Sequence, residues 1–360
     1  MHFTPHMELK TGPHGGRKYP YSNKPGGLKH WLEHASPPIK EDFVCLVDPD
    51  MLLLRPITPL LAEGLVASSR EGKSQSSKKQ YELSENGTGI GRVLAAHSLQ
   101  TLPARVTLGR PAGQHFGIGG VWARAGTKMA SPAFKDFSKA DVCGFDGAPC
   151  TQTTLKEADT KYAVGPVYLA HVQDWRRVSR AWWQMMPKVH DQYPQLLAEM
   201  YAMTIATANL TLPWSLVSHF MVSDPKTMSP TEAWSWVEDL TLGADGFSTV
   251  CEGANATTLP IATRDRSSVA LPTVLHHCQR YEATGHIFAK RKVPHDFFRC
   301  DGDPMPFDAA ALVKELHERQ ATAKSDWKGS RVAVRTAFMI CHLIPMVNKA
   351  LENYKMAVCN

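Results

Sequence analysis

"FVCLVDPDMLLLRPI", Phe43 to Ile57, is the stretch whose reading decides the fold. Phe43–Val47 is short, continuously apolar and bounded by acidic residues, which predicts a buried strand. Asp48 and Asp50 follow, one residue apart, and a second apolar run begins at once at Met51. Pro49 biases Asp48 toward extended backbone and removes a backbone donor, so the pair suits the end of a strand better than its middle. In open α/β sheets ligands bind outside the carboxyl ends of strands. Hard divalent cations such as Mg²⁺ or Mn²⁺ take oxygen ligands there and bridge carboxylates to phosphate. The other reading is a solvated acidic turn or a helix cap, and short motifs of this kind often match without a ligand.

The chain has 360 residues, of which 43% are apolar, enough to bury a sizeable core. Its formal charge is +6 with the basic residues dispersed. That balance suits an anionic small ligand and gives no basic block of the kind that binds nucleic acid. None of the eight cysteines forms a CxxC, which argues against a zinc ribbon or a thioredoxin-like motif. Cys143 and Cys150 are near enough in sequence to bridge a local loop. Three glycosylation sequons, at Asn86, Asn209 and Asn255, hint at the secretory pathway. No signal peptide or spanning segment is visible, and the apolar run at 337–343 is too short to cross a bilayer.

Further along, residues 1–25 read as loop and 26–35 as a helix with Leu28, Trp31 and Leu32 on one face. Residues 68–90, rich in Ser and Lys, read as an exposed insertion. "HFGIGGVWARAG" (115–126) reads as a strand whose glycines mark a bulge or a close approach, or else a tight turn. A strand is expected at 165–172. After it comes a helix with Asp174 as N-cap and Trp175, Val178, Trp182 and Met185 on one face. Residues 195–208 give another helix, and Ser229–Glu232 a capping box with Pro at its first helical position. A late strand, 271–277, ends on two histidines, and helices at 308–323 and 330–356 complete the chain. Strands alternating with helices predict an α/β domain with a largely parallel sheet.

Three groups could join the carboxylates in chemistry. A histidine at the end of the late strand could complete a metal site, or be a core histidine satisfied by backbone. Lys290, soon after Gly285, could contact phosphate oxygens, or lie on a solvated face. Asp174 caps its helix or serves a site. Glu199, between Leu197 and Met200, is turned outward or functional.

The segments "YPYSNKPGGLKHWLEHA", "FVCLVDPDMLLLRPI", "GRPAGQHFGIGG", "GPVYLAHVQDWRRVSRAWW", "LLAEMYAMTIA" and "LPTVLHHCQRY", in that order, resemble the plant and algal peptidyl serine O-α-galactosyltransferases, relatives of the hydroxyproline O-arabinosyltransferases. The resemblance runs from about residue 19 to 300, with 62–106 a poorly matched, variable insertion. It implies a GT-A-like, Rossmann-related glycosyltransferase domain over 1–300, with a C-terminal helical extension over 301–360. Asp48 and Asp50 would form the DxD metal site with His276 as third ligand, for Mn²⁺ or another divalent cation. Asn23 and Lys24, with Lys290, would contact the UDP-sugar, and Glu199 and Asp174 would be the catalytic or substrate-contacting carboxylates. The implied activity is retaining transfer of galactose from UDP-galactose to serine hydroxyls of hydroxyproline-rich polypeptides, in the lumen of the endoplasmic reticulum or Golgi. The alternatives are a hydroxyproline O-arabinosyltransferase, or an inactive remnant that binds glycan or peptide. Family members begin with a strand, a "YFDWQ"-like segment and a helix, and carry a membrane anchor or signal. The expectation is that this chain starts after that first βα unit, so that any membrane association rests on a segment outside it.

Overall fold

The computed structural model describes residues 3–7, 19–54, 56–61, 105–227, 229, 231–234, 237–238, 248–251, 272–322 and 327–359. The insertion at 68–90 and the sequons at Asn86 and Asn255 lie outside them. The chain is a mixed α/β protein whose contacts divide it into two compact units. The described part of the first comprises residues up to 47, 58–61 and 105–217. The second comprises 48–57 and the residues from 218 onward, so residues 301–359 share a unit with 218–300.

The first unit holds α1 (Asn23–His34), β1 (Phe43–Leu46), β3 (Ala112–His115), α2 (Gly119–Ala123), α3 (Leu155–Lys161), β4 (Val164–His171), α4 (Val172–Gln192), α5 (Ala198–Asn209) and β5 (Ser215–Val217). Its sheet has the order β1-β4-β3-β5. The expectation of a largely parallel sheet is corrected here: β4 runs antiparallel to both β1 and β3, and only β3 and β5 are parallel. Alternation of strand and helix implies a parallel crossover only if the helix carries the chain back to where the last strand began. Between β3 and β4 it does not. His115 pairs with Val164, so β4 starts where β3 ended. β1 is at the sheet edge, and its four residues are half-buried rather than buried. β4 is the buried strand. Its Pro166, which can donate nothing to a ladder, falls at the register shift opposite Gly113 and Gln114.

The stretch at 115–126 is not a strand. β3 ends at His115 and the glycines open α2. A Cβ on Gly119 would stand 2.2 Å from the Ala158 carbonyl oxygen, and one on Gly120 2.5 Å from Asp159 Oδ1. These glycines let α2 lie against α3, a tertiary demand that strand periodicity cannot register.

In α4 the predicted face is buried: Trp175, Val178, Trp182 and Met185. Trp175 Nε1 donates to the Val44 carbonyl at 2.9 Å, and Trp182 Nε1 to the Glu199 carbonyl at 2.7 Å. The N-cap is His171, whose Nδ1 accepts from Gln173 N–H, and not Asp174. The imidazole sits at the non-helical position where a cap must sit, three residues before Asp174.

The second unit holds β2 (Met51–Leu53), β6 (Met221–Val222), β7 (Val274–His276), the hairpin β8 (Tyr281–Ala283) and β9 (His286–Phe288), and the helices α6 (Ala309–Thr322) and α7 (Trp327–Val358). β7 lies between β2, antiparallel, and β6, parallel. Phe338, Cys341, Ile344 and Leu351 of α7 enter the core with Leu275, Tyr281 and Phe288. Arg331 and Arg335 of α7 both pair with Glu238, and Arg335 lies over the Trp234 ring. Disulfides join Cys251 to Cys341 and Cys300 to Cys359, while Cys143–Cys150 closes a local loop in the first unit. Glu232 forms no capping box. Its carboxylate accepts from Ser223 N–H and Oγ–H and from Asp224 N–H, and Pro230 lies outside the described residues. Among the described residues no helix is long and apolar enough to cross a membrane.

Burial pushes His115 in the first unit and His342 in the second down from 6.5 to about 4. Both groups bind protons more readily unfolded than folded. Their contribution to stability is therefore complete above about pH 6.5 and is lost as pH falls toward 4, on the order of 3 kcal/mol each at most. Urea unfolding near pH 7 and at about pH 5, above the carboxylate range, will show this loss. His342→Leu will remove its share of the slope in the second unit.

Candidate metal centre

The centre forms where β2 and β7 meet. Met51 pairs with His276, Leu52 with Leu275 and Leu53 with Val274. One residue beyond the ladder, His277 N–H donates to the Asp50 carbonyl at 3.0 Å. This register brings the residue after Pro49 beside the end of the late strand. Among the described residues, one group of three could hold a metal ion: Asp48, Asp50 and His276, each with a ligand atom within 4.8 Å of the others.

The Asp50 carboxylate has a nitrogen partner on each oxygen. His276 Nε2 lies 3.2 Å from Oδ1, and the Lys290 ammonium donates to Oδ2 at 2.5 Å. The hydrogen bond from His276 and, after it, that from Lys290 hold the Asp50 carboxyl well below the usual carboxylate range, against the opposing effect of burial. Asp50 therefore stays ionised throughout the physiological range, the form a metal requires. Two carboxylate oxygens and one imidazole nitrogen fit a divalent cation that takes oxygen and nitrogen ligands.

The supporting structure is largely a hairpin that sequence reading had left out. The Tyr281 hydroxyl of β8 lies 2.9 Å from both the His276 and Ser223 carbonyls. Phe288 of β9 meets the His277 ring edge-on at 5.5 Å. The Thr284-Gly285 turn between two short runs, Tyr281–Ala283 and His286–Phe288, was the available signal. Both residues take positive φ, which for Gly285 costs nothing. The 3₁₀ turn Lys290–Lys292 then carries Lys290 to Asp50. Its Lys292 lines a cavity of about 680 Å³ together with Gly285, His286, Met305 and Phe307. Cys278, a free cysteine two residues past His276, is exposed.

The other residues singled out from sequence belong to the first unit. The Asn23 side-chain oxygen accepts from Met7 N–H at 2.6 Å. Lys24 and Glu199 pair with each other at 2.7 Å, and Glu199 is buried, not turned outward. Glu199 N–H also donates to the Tyr19 hydroxyl, which donates in turn to the Leu196 carbonyl. Asp174 is fully buried, and its Oδ2 accepts from Gly109 N–H at 2.7 Å, in a turn where Gly109 has φ of 77°.

No protein-family model matches the chain, and no solved structure matches it. Among curated proteins it is similar to the peptidyl serine alpha-galactosyltransferase of Arabidopsis thaliana, with 41% identity over 58 residues. The match covers 16% of this chain and 7% of that protein, which supports a distant relationship. The similarity hints at a transferase of the glycosyltransferase kind.

A double-mutant cycle on Lys24→Met and Glu199→Gln, read by chemical unfolding, will give a coupling of about 2 kcal/mol, as for a desolvated, hydrogen-bonded charge pair. Additive effects would mean that the two side chains do not depend on each other.

Proposed function

We propose that this protein is a metal-dependent glycosyltransferase that draws on a nucleoside-diphosphate sugar. The observation that carries the reading is the grouping of Asp48, Asp50 and His276, with the Lys290 ammonium on the same carboxylate. Bound there, a divalent cation such as Mn²⁺ would neutralise the leaving diphosphate. The chain's own residues supply the rest. Asp48 and Asp50 offer hard oxygen ligands, His276 offers a nitrogen, and Lys290 adds a charge for the phosphate oxygens.

In finer detail we assign the donor as UDP-galactose and the acceptor as serine hydroxyls in a hydroxyproline-rich polypeptide, with retention at the sugar. The activity named for the Arabidopsis relative and the ordered segments from Tyr19 onward support this assignment. The cavity beside Lys292 has a volume within the range of small-molecule sites and is our choice for the acceptor side. Asn23, Lys24, Glu199 and Asp174 each have a hydrogen-bond partner within the first unit. Three disulfides among the described residues favour an oxidising compartment, consistent with the secretory lumen.

The test is titration of MnCl₂ into the full chain and into Asp50→Ala, followed by turnover of UDP-galactose on a serine- and hydroxyproline-containing peptide. Asp50→Ala will weaken Mn²⁺ binding by roughly 100-fold and abolish turnover. Unchanged metal affinity would overturn the assignment. Transfer from UDP-arabinofuranose in place of UDP-galactose would replace the donor and leave the metal centre standing.

A further inference from the structure

Lys290 holds a place that a bound cation would contest. Its ammonium lies 2.5 Å from Asp50 Oδ2, while His276 Nε2 lies 3.2 Å from Oδ1, so both oxygens of one proposed ligand are engaged by the protein's own nitrogens. A carboxylate oxygen has a second lone pair and could accept both partners. An ammonium and a dication a few ångströms apart nevertheless repel by enough to lower the affinity for the metal by about tenfold or more. The lysine is also free to leave. Its side chain is 46% exposed, on a flexible four-carbon stem that starts in the turn Lys290–Lys292. The position it would move to is set by charge: a diphosphate bound beside Asp50 would offer anionic oxygens to the same stem.

We propose that Lys290 is an exchange residue that makes metal and nucleotide binding cooperative. It neutralises Asp50 when no diphosphate is present, and so weakens capture of a metal ion alone. When a diphosphate arrives, the ammonium transfers from Asp50 Oδ2 to a phosphate oxygen, and Asp50 is released to the metal. Each ligand then raises the affinity for the other, and by linkage the two enhancements are equal. This rests on the metal-centre reading above and adds an order to it. The two ligands enter as a pair, although the site contains every protein donor a metal alone would need.

The experiment measures Mn²⁺ affinity calorimetrically on the full chain, with and without UDP, for wild type, Lys290→Met, Lys290→Arg and the control Asp50→Ala. In wild type, UDP will tighten Mn²⁺ binding. Lys290→Met will bind Mn²⁺ alone about tenfold more tightly than wild type, and UDP will add little further. Lys290→Arg, which keeps a cation on Asp50, will behave as wild type does toward Mn²⁺ alone. If Lys290→Met binds Mn²⁺ no more tightly than wild type, or keeps the full enhancement by UDP, the exchange is wrong while the metal centre stands. If wild type binds no Mn²⁺ that Asp50→Ala fails to bind, the metal centre itself is wrong and the exchange falls with it. Lys290 is half exposed and pairs with Asp50, outside the core of the second unit, so its removal leaves that core in place.

Discussion

The pairing of β2 with β7 is the constraint on which the second unit depends. It joins Met51 to His276 across most of the chain's length, and the candidate metal centre lies at the end of that ladder. Closing so long a loop costs entropy, but the cost rises only slowly with length. It is offset by burial of Leu275 and Val274, which are fully covered in the middle strand of a three-stranded sheet. Register matters more than closure. A slip of one residue would turn Leu275 outward and move His276 away from Asp50, because side chains alternate across a strand. The apolar residues that flank the site therefore set its geometry, and the carboxylates inherit it.

The parts of this arrangement that could be read from sequence are the ones written in local pattern. The apolar run before Asp48-Pro49-Asp50 announces a short strand and a break after it. Trp175, Val178, Trp182 and Met185 announce a helix face, whereas Glu199 among apolar neighbours leaves an outward and a functional placement open. The rest depended on partners distant in sequence. Whether β4 runs with or against β3 is decided by where the chain re-enters the sheet, and no residue of either strand records that. The glycines at 119 and 120 look like strand glycines until Ala158 and Asp159 are seen beside them. Asp174 looks like a cap until its carboxylate is found on Gly109. At the centre itself, Asp48, Asp50, His276 and Lys290 were all named from sequence. The contribution of Tyr281 was not, because its bonds to the His276 and Ser223 carbonyls leave no periodic trace.

The centre is supported as a site of precise geometry should be, from elements whose own positions are fixed. Tyr281 and Phe288 belong to opposite strands of one hairpin, paired with each other in register. One reaches the His276 backbone and the other the His277 ring, so the two histidines are held from both strands. The hairpin in turn lies in the core that α7 provides, and α7 is tied by disulfides at Cys341 and, just past its end, at Cys359 to Cys251 and Cys300. Cross-links of that span act mainly by limiting the unfolded chain, so their effect is to help keep the three-stranded sheet and its neighbouring hairpin folded.

This support is uneven in a way that bears on function. His276 is fixed by its backbone and its ladder, and Asp50 by its carbonyl bond to His277 as well as by its carboxylate. Lys290 has neither constraint: it stands in a short 3₁₀ turn after the hairpin, with a long and partly exposed side chain. A site that needed three fixed charges would have placed the third on a strand. In the proposed exchange, placing the cation on a long, half-exposed stem would let the same positive charge balance Asp50 in one state and a diphosphate in another. The paired strands would then define where a metal sits, and the lysine when the carboxylate is free to take it.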